Sequence, residues 1–123
     1  MRSHGPILAL VALLIAAPAN VAAKLDTVQD LMQMCRSDNT IAEATDKAIC
    51  LGWIGGATDV MFALGHKLPG TPWAACASGK FVSFAAMRQA FLNWADQHPK
   101  LWTAPALAGL ALAIRSTWPC PPR

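Results

Sequence analysis

This 123-residue chain contains four cysteines, Cys35, Cys50, Cys76 and Cys120, which are its most reactive side chains. Four thiols can hold a metal ion, supply a nucleophile or pair as two disulfides. Zinc sites usually place two ligands in a C-x-x-C pair, which is absent here, and no histidine lies within ligand spacing of a cysteine. The C-x-x-C-H signature of haem attachment is absent as well. We therefore expect no metal and no cofactor, and two disulfides are the favoured interpretation.

The N-terminal segment indicates the compartment in which these thiols reside. A basic start at Arg2 is followed by an apolar run over residues 7–17 and a small-residue exit that ends at Ala23. This pattern predicts a signal peptide over residues 1–23, cleaved before Lys24. The apolar run is too short to span a bilayer, which takes roughly 20 residues. The sequence thus predicts a periplasmic protein without a membrane segment after cleavage, in a compartment where thiols oxidise.

The remaining residues, 24–123, suit one domain, since roughly 100 residues is the commonest domain size. The formal net charge is +3, and acidic and basic residues are interspersed without a basic stripe. This balance gives no reason to expect nucleic-acid binding. Alanine, leucine and tryptophan are frequent and charges are few, which favours a compact body with apolar surface left over for a partner.

Four segments with helical apolar periodicity make up this domain, and no segment alternates as a strand does. The sequence predicts an all-α fold, a small four-helix domain stapled by two disulfides. The predicted helices cover residues 26–35, with Asp26 as N-cap, residues 40–65, with a capping box of Thr40 and Glu43, and residues 81–97. A fourth helix begins at a Thr103 cap. The stripe expected to be buried in the last helix is Leu107, Leu110, Ala111 and Ile114.

Four cysteines permit three pairings, and their spacing alone does not choose among them. An antiparallel hairpin of the first two helices would bring Cys35 close to Cys50. A hairpin of the last two helices would bring the start of one near the end of the other, and so Cys76 close to Cys120. This geometry favours the pairs Cys35–Cys50 and Cys76–Cys120.

Glycines interrupt the second helix, where Gly52, Gly55 and Gly56 precede Asp59 on one stripe. Each interior glycine costs roughly 1 kcal/mol relative to alanine, so we expect close approach of another helix or a second subunit to offset that cost. Asp59 lies in an apolar stretch and is expected to be a buried, hydrogen-bonded carboxylate, with a partner contact as the alternative. The tryptophans expected in the core are Trp53, Trp94 and Trp118.

A loop over residues 66–80 is long for a domain of this size and is rich in proline and glycine. It carries His66, Lys67 and Trp73, which are candidate partner-binding residues. Trp102, in the turn before the last helix, is a further candidate. For both tryptophans, local packing is the alternative to a role as a binding anchor.

Catalytic signatures are missing from the domain. Its histidines, His66 and His98, belong to neither an H-E-x-x-H motif nor a G-x-S-x-G motif. A cysteine nucleophile needs a free thiolate, whereas an even cysteine count in an oxidising compartment predicts that all are bridged. His98 precedes Pro99 and is expected at the C-terminal end of the third helix. We interpret the protein as a binding protein and not as an enzyme.

Several segments together resemble one protein family. They are Leu31-Met32-Gln33-Met34-Cys35, the run Cys50-Leu51-Gly52-Trp53-Ile54-Gly55-Gly56-Ala57-Thr58-Asp59, Gln97-His98-Pro99 and Trp118-Pro119-Cys120-Pro121. In this order, over nearly the whole of residues 24–123, they resemble the Rap/Tai family of periplasmic immunity proteins, which neutralise peptidoglycan amidases delivered by type VI secretion systems. Trp53 stands where that family usually has tyrosine, and Ala77-Ser78 follows Cys76 where the family usually has a nearby proline.

The resemblance implies a small α-helical protein, often dimeric, that binds an exported amidase effector and occludes its catalytic cleft. Such inhibition needs no chemistry from this chain, only a protrusion that fills a groove. The loop over residues 66–80 is the leading candidate for the protrusion, and the turn over residues 100–103 is the second.

Two alternatives stay open. One is a periplasmic structural or chaperone-like helical protein without a toxin partner, which the small number of acidic residues and the two disulfides disfavour. The other is a family relative that has lost its toxin, which the identity of the adjacent gene would distinguish.

Overall fold

The structure, a computed structural model, describes residues 25–36 and 40–122. The predicted signal peptide over residues 1–23 lies outside the described residues. Within them the chain forms four α-helices and no strand: α1 Val28–Arg36, α2 Ile41–Lys67, α3 Phe84–Gln97 and α4 Ala106–Thr117. A short 3₁₀ helix, Pro99–Leu101, separates α3 from α4. The predicted all-α fold of four helices is confirmed.

Hydroxyl caps determine where the first two helices begin. Thr40 Oγ1 accepts a hydrogen bond from the backbone N–H of Glu43 at 3.1 Å, so Thr40 caps α2 as predicted. α1 is capped by Thr27 and not by Asp26. Thr27 and Asp30 each accept from the other's backbone N–H, at 3.2 and 3.0 Å, and this capping box starts the helix one residue later than Asp26 would.

α3 begins at Phe84 and not at residue 81, so the predicted start is wrong. The reason is Ser83, whose Oγ accepts a hydrogen bond from the backbone N–H of Ala86 at 3.1 Å. Serine is a strong N-cap residue, and its extended backbone ends the preceding loop. Phe81 therefore belongs to the loop, outside the helix.

The predicted Thr103 cap of α4 is also wrong, because α4 begins after Pro105. The segment before α4 is engaged instead by the start of α1. The backbone N–H of Val28 donates to the carbonyl of Ala104 at 2.9 Å. The extended backbone of this segment binds α1, and the helix starts only beyond it.

The core lies where all four helices meet, since each helix contacts the other three. Its largest fully buried side chains are Val28, Leu31, Ile54, Met87, Phe91, Leu110 and Ile114. Trp94 is buried, whereas Trp53 and Trp118 are half-buried and pack against the core from its edge. The expectation that these tryptophans are core residues is confirmed for Trp94. Trp53 and Trp118 contact the core with one side of the indole and are partly exposed on the other.

The predicted buried stripe of α4 is right for three of its four residues and wrong for Leu107, which is 46% exposed. The inner face of α4 passes through Gly109 instead. A side chain at Gly109 would overlap the side chain of Val28, so the absence of one lets α1 approach α4 closely. The helix is rotated toward its small residues, and Leu107 is turned outward.

Both predicted disulfides are confirmed. Cys35 and Cys50 join α1 to α2 with a Cα–Cα distance of 5.2 Å, and Cys76 and Cys120 join the loop after α2 to the C-terminal tail at 4.8 Å. In the chain-entropy model their loops contribute roughly 3 and roughly 4 kcal/mol. The first bridge is fully buried, whereas both cysteines of the second are partly exposed.

The glycines of α2 have different roles, which corrects the expectation of one close-packing stripe. A Cβ at Gly55 would lie 2.7 Å from the ring of Phe84, so a helix does approach there. Gly52 and Gly56 are exposed, and no atom lies within 4 Å of a Cβ built at either. The tightest approach is at Gly65, where a Cβ would overlap the carbonyl oxygen of Ala75.

Asp59 is exposed and not buried, so that expectation is wrong. It shares the outward side of α2 with Gly52 and Gly56, at helical spacings of seven and three residues. The buried polar residue of this stretch is its neighbour Thr58. A carboxylate on the solvent side needs no buried partner, which removes the physical reason for expecting one.

By length and composition alone, α2 is the one helix among the described residues that is long and apolar enough to cross a membrane. The core helix of a soluble protein meets the same criterion, and α2 contacts the other three helices. Only 33% of its apolar stretch is buried. Part of the apolar surface of α2 is therefore left on the outside of the bundle.

The contrast between Gly65 and Gly56 predicts opposite effects of the same substitution. Gly65→Ala should destabilise the protein by about 1–3 kcal/mol, because the new methyl group meets backbone that is itself packed. Gly56→Ala, the matched control in the same helix, should raise the free energy of unfolding by up to about 1 kcal/mol through helix propensity. Urea unfolding measures both, and equal stabilities would contradict the close approach at Gly65.

The different exposure of the two disulfides predicts the order in which they are reduced. In limiting dithiothreitol the partly exposed Cys76–Cys120 bridge should open first, because thiol–disulfide exchange needs access to a sulfur atom. Alkylation followed by peptide mass spectrometry identifies the cysteines released at each time point. Labelling of Cys35 and Cys50 before or together with the other pair would show that exposure does not control the order.

Candidate partner-binding surface

The described residues include exposed side chains that could contact a partner, and they show no grouping of side chains typical of a metal site. Among residues 25–36 and 40–122, no three His, Cys, Asp or Glu side chains group so as to hold a metal ion. All four cysteines are in disulfides. His98 caps the C-terminal end of α3, with Nδ1 2.6 Å from the carbonyl oxygen of Trp94 and its ring stacked on that indole at 4.6 Å. This histidine stabilises the helix end, where its position was predicted.

The segment between α2 and α3, residues 68–83, is named here the α2–α3 loop. Its centre is part of the packed body, since Ala74 and Ala75 are buried. The backbone N–H of Ala75 donates to the carbonyl of Met61 at 3.1 Å, and that of Cys76 donates to the carbonyl of Trp118 at 2.9 Å. With the Cys76 disulfide, these bonds hold the middle of the loop and leave two projecting parts.

The first projecting part contains the residues that the sequence selected. Two consecutive turns, closed by bonds from Thr71 N to Leu68 O and from Ala74 N to Thr71 O, carry it. Trp73 is 45% exposed there. His66 and Lys67, in the last turn of α2, are exposed just before it. The predicted loop start at residue 66 is wrong, because α2 continues through Lys67 and includes His66 and Lys67, whereas Trp73 lies in the first half of the loop.

The second projecting part contains a residue that sequence reasoning missed, Phe81, which is 93% exposed. It follows a turn in which Ser78 and Gly79 have φ values of 54° and 72°. The sequence assigned Phe81 to α3, where an apolar residue at the start of a periodic run looks like core. The signal that could have corrected this was Ser83, a better N-cap residue than Lys80, which directly precedes Phe81.

The α2–α3 loop and the helical residues next to it in sequence carry no carboxylate side chain. No aspartate or glutamate occurs between residues 60 and 95, whereas Lys67, Lys80 and Arg88 do. Arg88 is held to the body by a bond from Nε to the carbonyl oxygen of Cys35 at 2.6 Å. Lys67 and Lys80 are exposed in the last turn of α2 and in the loop. The surface around the loop is therefore apolar and cationic.

Trp102, the fourth predicted contact residue, packs against the core. Its indole N–H donates to the carbonyl of Ala95 at 2.8 Å, and its own carbonyl accepts from Gln29 N at 2.9 Å. It lies before the start of α4, whereas the loop is bonded to Trp118 at the other end of that helix. These ends are about 18 Å apart by helical rise, so Trp102 is not brought together with the loop.

The outward side of α2 is a second unpartnered surface. Its exposed residues recur every four positions as Ala48, Gly52, Gly56 and Val60, and Ile41 and Ile49 are also exposed. We call this set the outer face of α2. Trp53, predicted with Gly52, Gly56 and Asp59 as part of a structural motif, is half-buried beside it. The outer face is narrow and low in side-chain bulk, and the exposed Asp59 lies beside it on the outward side of α2.

The comparisons with known proteins agree with this architecture. The family model described as Rap1a immunity proteins matches residues 27–120, from the cap of α1 to the last cysteine. Comparisons with curated proteins and with solved structures give no match. The family match spans most of the chain and all four helices, and it agrees with the resemblance carried by the cysteine, glycine and tryptophan motifs. The chain belongs to the Rap1a immunity protein family.

Proposed function

We propose that this protein is a periplasmic immunity protein that binds a peptidoglycan amidase effector of a type VI secretion system and occludes its active site. Membership of an immunity protein family supports a toxin as the partner. The observation that carries the proposal is the α2–α3 loop, which displays apolar and cationic side chains from a centre fixed by a disulfide. Blocking a catalytic groove needs such a protrusion and no catalytic group on the inhibitor.

The attachment of the loop supports an inhibitory role. A protruding segment that is mobile before binding loses conformational freedom in the complex, which weakens affinity. Here the loop is bonded to α2 through Ala75 and to the C-terminal tail through Cys76. Folding has therefore already restricted the backbone of the loop, so the loop loses less conformational entropy on binding. Lys67 and Lys80 further favour a partner surface that carries carboxylates, because complementary charge raises the rate of association.

Location follows from the same chemistry. The disulfides need an oxidising compartment, and residues 1–23 have the pattern of a signal peptide. A toxin that cuts peptidoglycan acts on the outer side of the inner membrane. Protection of the cell thus requires export of this protein, and the form without residues 1–23 should fail to protect when it is kept in the cytoplasm.

We also propose a homodimer, formed through the outer face of α2. Gly52 and Gly56 let another backbone approach closely, and Ile41, Ile49 and Val60 supply exposed apolar area beside them. Two copies of a helix with this spacing can pack along it with little steric conflict. The arrangement leaves the α2–α3 loop of each copy free for its own contact with an effector.

Removing contacts in the first half of the loop should weaken inhibition without unfolding the protein. Lys67→Glu combined with Trp73→Ala should raise the concentration needed for half-inhibition at least about tenfold, as for anchors near an interface centre. The measurement is cleavage of purified peptidoglycan by each amidase encoded beside the gene. The comparison variant is Lys100→Glu with Leu101→Ala, the same kinds of change in the second candidate region, the turn over residues 100–103, and it should inhibit as the unmodified protein does if the loop makes the contact. Absence of inhibition by the unmodified protein would favour the chaperone-like alternative.

Enlarging a residue on the outer face should separate the subunits without unfolding them. Gly56→Leu places a side chain where the monomer has open space, so the variant should keep the helical circular dichroism of the unmodified protein, while sedimentation should report the monomer mass. Ala85→Leu, an enlargement at an exposed position of α3, is the control and should leave the mass unchanged. A dimer that survives Gly56→Leu would exclude this face as the interface.

A further inference from the structure

We propose that Phe81 is the principal anchor by which the α2–α3 loop engages the effector, and that it enters an apolar socket bordered by carboxylates. This inference rests on the proposed function and goes beyond it by naming the residue and the chemistry of the complementary surface. The sequence pointed to Trp73 at the other end of the loop. The two aromatic residues differ in ways that favour Phe81.

Exposure is the first difference. Phe81 is 93% exposed, whereas Trp73 is 45% exposed and so already has contacts within the protein. A phenylalanine ring gains from leaving water wherever it finds an apolar surface. Since the fold gives Phe81 almost none of that gain, nearly all of it remains available to a partner.

The backbone around Phe81 is fixed on both sides. Ser78 is, within residues 25–36 and 40–122, the one non-glycine residue with a positive φ, at 54°, a conformation that serine rarely adopts. The turn is closed by a bond from Lys80 N to Ala77 O at 3.1 Å. On the other side Ser83 caps α3. Three residues, 80–82, separate the strained turn from the cap, so the backbone that presents the ring is held before binding.

Phe81 also forms one wall of a groove. The groove has a volume of about 540 Å³, and Val82, Ala86 and Trp118 are among the residues that line it. Trp118 is held edge-on against Phe62 at 5.8 Å between ring centroids. A partner that received the Phe81 ring would therefore place its own neighbouring chain against an apolar, preformed surface. Projection and groove together resemble the centre of an interface, where an anchor is enclosed by contacts that exclude water.

Charge identifies the kind of partner. Lys80 is exposed directly before Phe81, and no acidic residue occurs between residues 60 and 95. A second copy of this chain would bring Lys80 toward an equally cationic loop, where like charges oppose contact. An effector surface with carboxylates at the border of the socket would attract it. Charge therefore favours a different, acidic partner over self-association through this loop.

The test uses the exported, oxidised protein and a catalytically inactive form of the amidase encoded beside its gene, with the dissociation constant measured by calorimetry. Phe81→Ala should weaken binding by about tenfold to a hundredfold, as for a hot-spot residue. Lys80→Glu should slow association, and less so in high salt. Leu107→Ala, which truncates a 46% exposed residue of α4, should leave binding unchanged. Because the side chains of Phe81 and Lys80 are exposed, thermal unfolding of these two variants should match the unmodified protein.

The outcomes separate this inference from the proposed function. If the unmodified protein binds the amidase and Phe81→Ala binds within about twofold of it, the anchor is elsewhere and the proposed function stands. If the unmodified protein binds no amidase encoded beside the gene, both are overturned. Binding to phosphatidylglycerol vesicles that Phe81→Ala abolishes, with amidase binding unaffected, would assign the residue to a lipid surface and also overturn the inference.

Discussion

The close passage of Ala75 over Gly65 is the contact on which the organisation of the functional end depends. Gly65 has no side chain, so the loop backbone can lie against α2 and bury Ala74 and Ala75. Once there, the loop bonds to Met61 and Trp118, and Cys76 comes within disulfide distance of Cys120. The second bridge can form because α2 has no side chain at Gly65, where the loop backbone passes over the helix. Without that surface, the loop would leave the body and its exposed residues would lose their common support.

At the other end of the molecule, backbone hydrogen bonds join the start of α1 to the segment before α4. The extended segment before α4 accepts bonds from the first residues of α1, and Gly109 lets Val28 pack against α4. α1 is short, yet it contacts all three other helices and carries one end of the buried bridge to Cys50. The buried bridge therefore ties α2 to a helix that Gly109 allows to pack closely against α4.

How much of this could be read from the sequence depends on the range of the interaction involved. Thr40 predicted the start of α2 because a cap is a contact over three residues, and the disulfide pairs followed from the hairpins because adjacent helices return the chain to its starting point. The roles of Gly52, Gly55 and Gly56 could not be separated, since a stripe of small residues does not say which side of a helix meets a neighbour. The predictions that Asp59 and Leu107 are buried were wrong for the same reason. The rotation of each helix is set by packing against all the others.

The candidate surface was found in part. The proline and glycine content located the loop, in which Trp73 lies, whereas Lys67 lies in the last turn of α2. Phe81 was missed because apolar residues next to a helix are usually core, and only the cap at Ser83 removes it from the helix. Trp102 illustrates the opposite case, in which an aromatic residue in a turn is used for packing through a single indole hydrogen bond.

The strained turn and the Ser83 cap fix the backbone on both sides of residues 80–82, in the second half of the loop. Residues 80–82 lie between two local structures that are formed by Ser78, Gly79 and Ser83, and the side chains of residues 80 and 81 are exposed. The identity of those two side chains is therefore nearly independent of the stability of the bundle. The side chains at these positions can therefore change, by evolution or by design, while the helices, the bridges and the attachment at Gly65 stay as they are.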